Sequence, residues 1–189
     1  MIFVPEFSQD EITVLRKIKV LGKATPDTLA RELGDPYTPQ DLSVYLKSLE
    51  QKTLLNRTQE NPTVYELTPL GLIAIGALPQ TAKKVYFTVP NDKCFHFYTG
   101  VGPDKFTKIS ACSLSEFRER VKEVDVKSLD FHVPRGDIQK WVKDVLGDEE
   151  LAEEIERLRR LRLNGERLRA RILEVIDSRV NQLTSTGDA

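Results

Sequence analysis

The sequence predicts an α+β protein, mostly helical, with three parts. These are a helix-and-hairpin domain at the N-terminus, a small α/β domain in the middle, and a long C-terminal helix or helix pair. Three observations point there. Helix starts with capping residues recur before residue 40. β-prone runs bracket polar turns at 53–68 and again at 85–98. An amphipathic stretch then fills 148–183.

The first helix opens at Ser8-Gln9-Asp10-Glu11, where Ser8 caps and Glu11 completes a capping box. Ile12, Val14, Leu15, Ile18 and Leu21 follow at helical spacing, and Gly22 ends the run. Thr25-Pro26-Asp27 opens a second helix and Thr38-Pro39-Gln40-Asp41 a third, each with proline at the first helical position. The third helix runs to about Gln51 and buries Leu42, Leu46 and Leu49, with Tyr45 beside them. Helices two and three make a helix-turn-helix. The runs 53–58 and 63–68 around Glu60-Asn61-Pro62 read as a hairpin, the wing. A further helix is expected from Thr68 to about Leu78.

The wording Tyr65-Glu66-Leu67-Thr68-Pro69-Leu70-Gly71 after such a helix resembles winged-helix regulators of the MarR, PadR and ArsR kinds. The resemblance covers residues 8–78 and implies a winged-helix fold and DNA binding. The third helix would then lie in the major groove. Gln40, Ser43, Val44, Lys47 and Gln51 would read bases, Val44 against a thymine methyl. Lys52 and Arg57 would join Lys47 on phosphates, and Asn61 at the wing tip would reach the minor groove or backbone. Charge argues the other way. Residues 1–80 carry 8 Lys/Arg against 10 Asp/Glu, and the whole chain is −1. A nucleic-acid binder is ordinarily basic, and winged helices also serve as protein-protein modules.

Residues 81–148 form the middle domain, after a linker at Gln80–Lys84. Strands are expected at 85–89, 94–98 and 108–111, then a helix from Ser113, with Glu116 completing another capping box, to about Val124. Here the chain resembles an uncharacterised small domain of archaea and bacteria, over about residues 94–160. The match runs through Ser113, Leu114, Glu116 and Phe117. It continues through Ser128, Leu129, Phe131, His132, Arg135, Asp137, Trp141, Leu146, Gly147, Asp148, Leu151 and Ala152, while Ile138 replaces the usual aromatic. That resemblance implies a domain and no activity.

Cys94, His96, Cys112 and His132 are every cysteine and histidine in the chain. They lack the paired short spacings of a zinc site, so no metal or cofactor is expected. Nor does the sequence offer Cys112 an orienting partner as a nucleophile, so no catalytic residue is assigned. Two cysteines are too few for a disulfide framework, and a reducing compartment is the default. His132, Arg135 and Asp137 are expected to form a buried polar cluster that locks a turn between helices. Anion or ligand binding by His132 and Arg135 is its functional alternative.

Residues 149–184 read as one amphipathic helix or, if Asn164-Gly165 breaks it, as two, and 185–189 as a tail. A small chain does not easily cover so long an apolar stripe, which predicts a homodimer through this segment. Packing back on the N-terminal domain is the alternative. Arg157, Arg159, Arg160, Arg162, Arg167, Arg169 and Arg171 stand against one acid, Glu166, within residues 157–171. This run offers a second contact for nucleic acid or an acidic partner. No apolar run approaches the ~18 residues that span a bilayer. Residues 1–6 lack the features of a signal peptide. A cytoplasmic, non-enzymatic, DNA-binding regulator or chromatin-associated factor is the expectation, with a protein-protein adaptor as the rival.

Overall fold

The computed structural model describes residues 7–58 and 60–185; the opening residues 1–6 and tail residues 186–189 lie outside them. The chain is α+β and mostly helical, and it divides into two units, Met1–Gln80 and Thr81–Ala189. No helix of the described residues is long and apolar enough to cross a membrane.

The first unit runs α1 (Gln9–Leu21), β1 (Lys23–Ala24), α2 (Pro26–Leu33), α3 (Pro39–Gln51), β2 (Leu55–Arg57), β3 (Tyr65–Leu67) and α4 (Pro69–Ala74). Its helices start where the capping residues stand. Ser8 Oγ accepts the Glu11 N–H and the Glu11 carboxylate accepts the Ser8 N–H; Thr38 and Asp41 repeat the arrangement on α3. Thr25 and Thr68 cap α2 and α4. The three strands form an antiparallel sheet in the order β1-β3-β2, with Asn56 opposite Glu66 and Lys23 opposite the same residue on the other edge. Val14, Leu15, Ile18, Leu29, Leu42, Leu46 and Leu49 form the core. Asp10 ties α1 to the α3 region by accepting from the Tyr37 and Tyr45 hydroxyls at 2.7 and 3.2 Å. Gly71 sits so close to the Leu54 carbonyl that a Cβ would lie 2.3 Å from its oxygen, so this position of α4 admits no side chain. α4 stops at Ala74, four residues short of the expected end.

The second unit runs α5 (Lys83–Tyr86), β4 (Phe95–Tyr98), β5 (Phe106–Ala111), α6 (Leu114–Glu123), α7 (Val126–Arg135), α8 (Asp137–Asp144), α9 (Glu149–Arg160) and α10 (Gly165–Thr184). The strand expected at 85–89 is not one. Residues 83–86 are a helical turn that buries Val85 among the helices, so tertiary packing overrides β-propensity. β4 and β5 pair antiparallel, with Phe95 opposite Ala111. The next residues outward are Cys94 and Cys112, 4.3 Å apart at Cα and joined in a disulfide. The expectation of free thiols is therefore corrected, because the ladder register sets the two cysteines face to face.

The C-terminal segment is not a separate element. The chain turns at 161–164, α9 and α10 fold back on each other, and both pack into the core of the middle domain. Leu151, Ile155, Leu158, Leu168, Ile172, Ile176 and Leu183 are buried with Phe95, Phe97, Phe117, Leu129, Ile138 and Trp141 in one cluster. Most of the stripe that predicted a homodimer is covered within the chain itself, Leu161 staying exposed and Val175 partly so. The 81–148 and 149–184 segments thus share one hydrophobic core, which corrects their expected separation.

Candidate nucleic-acid interface

α3 sorts its residues by helical period. Leu42, Leu46 and Leu49 point into the core, whereas Gln40, Ser43, Val44, Lys47 and Gln51 are exposed along the opposite face. Val44 is 68% exposed, an uncovered apolar side chain in the middle of that polar surface. Ser43 Oγ donates to the Pro39 carbonyl at 2.7 Å and keeps its lone pairs free. Asn61 lies exposed in the β2–β3 connection.

Two of the expected phosphate contacts are otherwise engaged. Lys52 Nζ donates to both Glu11 carboxylate oxygens, at 2.7 and 2.9 Å, and sits 5.5 Å from the Phe7 ring centroid. Ser48 Oγ and the Ser8 N–H donate to the same carboxylate. Burial pushes the Glu11 carboxyl up, but the Lys52, Ser8 and Ser48 hydrogen bonds and the Lys52 charge outweigh it, so its pKa lies below the ordinary value. Lys52 is the counterion of a buried acid, tying α1 to the end of α3. Arg57 pairs with Glu50 at 3.6 Å on the surface, a weak contact that a phosphate can replace.

His132, Arg135 and Asp137 meet, but of the three only His132 is buried, whereas Arg135 is exposed and Asp137 half-buried. His132 is buried against Phe95, Phe97, Tyr98 and Phe131. Its Nε2 lies 2.8 Å from the Tyr98 nitrogen, whose N–H can only donate, so Nε2 is unprotonated. Nδ1 therefore carries the proton and donates to Asp137 Oδ2 at 2.8 Å. Arg135 Nε donates to the same oxygen at 3.1 Å and its guanidinium lies over the Phe131 ring. Burial lowers the His132 pKa; Asp137 opposes this and Arg135 adds to it, and the net shift is downward. Between α7 and α8, Gly136 adopts φ +76°, the left-handed turn that glycine enters freely. The cluster joins this turn to β4 with both imidazole nitrogens partnered, while Arg135, half exposed, is bonded there through Nε.

The arginine run is largely spent. Arg157 pairs with Glu153 and Glu154, Arg159 and Arg160 both with Glu156, and Arg171 with Glu174. Arg169 bonds Glu166 and also donates to the carbonyls of Val121, Lys122 and Val124, capping the C-terminus of α6. Arg162 and Arg167 are exposed and have no carboxylate partner among the described residues. The disulfide occupies both sulfurs, while His96 bonds Ser110 and His132 bonds Tyr98 and Asp137, so the four residues considered as zinc ligands are each otherwise engaged.

Residues 92–188, just over half of the chain, match DUF5752, a family of unknown function. The chain belongs to that family. No characterised protein and no solved structure matches the chain. The DUF5752 segment takes in β4 through α10, with the His132 cluster and the arginine run.

Sequence reasoning missed the most buried ion pair of the DUF5752 segment. Arg179 on α10, 9% exposed, grips Asp148 through two parallel bonds of 2.8 Å, Nε to Oδ2 and Nη2 to Oδ1, and also reaches Glu150 and Gln182. Asp148 at the same time caps α9 by accepting the Leu151 N–H. The signal was present: Ile172, Ile176, Arg179 and Leu183 share one helical face, and an arginine in an apolar stripe requires a buried partner. Trp141, read as core packing, does pack there, and its Nε1 also donates to the Lys93 carbonyl at 2.8 Å.

Proposed function

We propose that residues 8–78 are a winged helix that binds duplex DNA through the outer face of α3, in a transcriptional regulator or chromatin-associated factor rather than an enzyme. The observation that carries this reading is the single exposed face shared by Gln40, Ser43, Val44, Lys47 and Gln51, in a unit whose hairpin carries an exposed Asn61. Glutamine and serine bond base edges, valine packs on a thymine methyl, and Lys47 takes a phosphate. Three helices followed by a hairpin, the order from which the winged-helix resemblance is read, support it. A cytoplasmic location goes with this reading, although the Cys94–Cys112 disulfide is of a kind that oxidising compartments favour. A homodimer through the C-terminal helix is not needed by it, since the chain itself covers most of that stripe.

The second reading is a protein-protein adaptor. It is favoured by the commitment of Lys52 to Glu11 and by the bare Val44 side chain on α3. Titration of labelled genomic DNA fragments into full-length protein across a salt series separates the two. DNA binding predicts affinity that falls steeply with salt and is lost in Lys47→Glu, as phosphate contacts release counterions. Absence of binding at low salt overturns it in favour of the adaptor.

A further inference from the structure

The β4–β5 hairpin has two unlike faces. Strand alternation sends Phe95 and Phe97 into the core with Ala111, and His96 and Tyr98 to the opposite face. The ladder sets Ser110 opposite His96 and Phe106 opposite Tyr98, so these four share the outer face. Their rings gather there: the Phe106 centroid lies 5.2 Å from that of Tyr98 and 5.7 Å from that of His96. His96 is exposed, and Tyr98 and Phe106 are half-buried. His96 Nδ1 is hydrogen-bonded to Ser110 Oγ at 2.7 Å, which orients the ring and leaves Nε2 without a partner among the described residues.

A bulge sets a cation on β5 between the two outward residues. There one residue of β4, Phe97, stands against three of β5, 107–109. Thr107 stitches the bulge: its hydroxyl donates to the Phe97 carbonyl at 2.8 Å and accepts the Ile109 N–H at 3.2 Å. Lys108 adopts φ 63°, the left-handed region that disfavours a side chain. The residue is nonetheless a lysine, exposed and with no carboxylate partner among the described residues. On the other strand, Tyr98 gives its N–H to His132, and His132 shares the Asp137 carboxylate with Arg135. Arg135 is bonded through Nε, which leaves its two terminal amino groups unengaged among the described residues. The acids beside these cations are taken, Asp104 by Lys105 and Asp137 by His132 and Arg135. Residues 81–111 carry five lysines against two aspartates, in a chain that is −1 overall.

We propose that this outer face binds single-stranded RNA, with bases stacked on Tyr98, Phe106 and His96 and phosphates met by Lys108 and Arg135. The chemistry of the face selects that occupant. Aromatic rings in series take the flat faces of bases whatever their sequence. Unengaged cations on both strands' sides of the rings call for a polyanion. Bases within a duplex are already stacked on one another, so the rings require an unpaired strand. Nε2 of His96, beside the rings, can bond a 2′-hydroxyl, the group that tells RNA from DNA. The inference stands on the second unit alone and needs nothing from the DNA reading of α3.

The test uses full-length protein and fluorescence anisotropy on a labelled, mixed-sequence single-stranded RNA of about 12 nucleotides, across a salt series, with a thermal melt of each variant. Phe106→Leu keeps the charge and most of the apolar bulk. It is expected to weaken binding about tenfold without changing the slope of log affinity against log salt. Lys108→Gly is expected to lower that slope by about 0.7. It should also melt at or above the wild-type temperature, because glycine enters the left-handed region freely, a combination that a structural lysine does not produce. Lys47→Glu on α3 is expected to leave RNA affinity unchanged. Wild-type affinity in both Phe106→Leu and Lys108→Gly overturns the proposal, as does equally tight binding of polyglutamate, which carries charge without bases. Loss of binding in Lys47→Glu alone puts the RNA on the first unit and also overturns it, while sparing a nucleic-acid role for α3. Equal affinity for single-stranded DNA of the same sequence overturns the choice of RNA, and no RNA binding by the wild type overturns the proposal while leaving the α3 reading to its own test.

Discussion

The outer face of α3 and the arginine run after residue 156 look opposite in sequence, one sparse in charge and the other dense, yet each presents few free cations. On α3 the losses come from distant partners: Lys52 is taken by Glu11, 41 residues away. In the run they come from glutamates three or four positions along the helix, Glu153, Glu154, Glu156 and Glu174, all of which lie just outside the basic window. The lesson is that a count of like charges overstates a surface unless the flanking turns are counted with it. It also separates two kinds of cation: those that hold the fold, such as Lys52, Arg169 and Arg179, and those that are spare, such as Lys47, Arg162 and Arg167.

Substitutions that remove a structural cation should destabilise, and those that remove a spare one should not. The largest effect belongs to Arg179→Ala, which strands the Asp148 carboxylate in the core. Breaking a buried pair from one side costs about 3–5 kcal/mol, and urea denaturation should show it; a loss near zero would mean that Asp148 is hydrated. Glu11→Ala comes next, removing a capping box and the partner of Lys52 together. A loss of roughly 1–3 kcal/mol is expected by the same measurement. Arg169→Ala removes the donors that cap α6 and should cost about 1–2 kcal/mol, whereas Arg171→Ala two residues on should stay within about 0.5 kcal/mol. Equal effects from these two neighbours would mean that Arg169 and Arg171 do not differ in structural role.

Acid provides a subtler separation. The folded His132 pKa lies below its ordinary 6.5. The unfolded chain thus takes up the proton first, and stability that is complete above about 6.5 is lost as pH falls from there through the folded pKa. Protonating Nε2 also forfeits the bond from the Tyr98 N–H. The folded Glu11 pKa is likewise lowered, from an ordinary 4.5, so its contribution holds above about 4.5 and fades as pH falls further. Urea midpoints between pH 8 and 3 should therefore fall in two stages, the first absent in His132→Gln. A midpoint that stays flat between pH 7 and 5 would contradict the imidazole geometry.

What the sequence made legible follows from how local each determinant is. Ser8, Thr25, Thr38 and Thr68 mark helix starts because a cap and its N–H lie three residues apart. The α3 face was readable for the same reason, since one helical period decides it. Ser113 caps α6 as expected, but Glu116 accepts the Cys112 N–H instead of closing a box. Residues 83–86 were misread because burial of Val85, not local propensity, decides their form. The disulfide needed the register of β4 on β5, and the fate of the C-terminal stripe needed the turn at 161–164, which folds α10 back onto α9. Lys52 was misassigned because its partner stands on another helix.

The claim that α3 is a DNA-reading face is tested most directly by pairing two single-charge deletions. Binding of duplex DNA to full-length protein should be measured by anisotropy for Lys47→Ala and for Arg171→Ala, each beside the wild type. The account predicts that Lys47→Ala weakens binding several-fold and lowers the salt slope by about 1, while Arg171→Ala changes neither. Equal losses in both would show that the chain responds to net charge rather than to a docked α3, and no binding by any of the three would contradict the DNA reading outright.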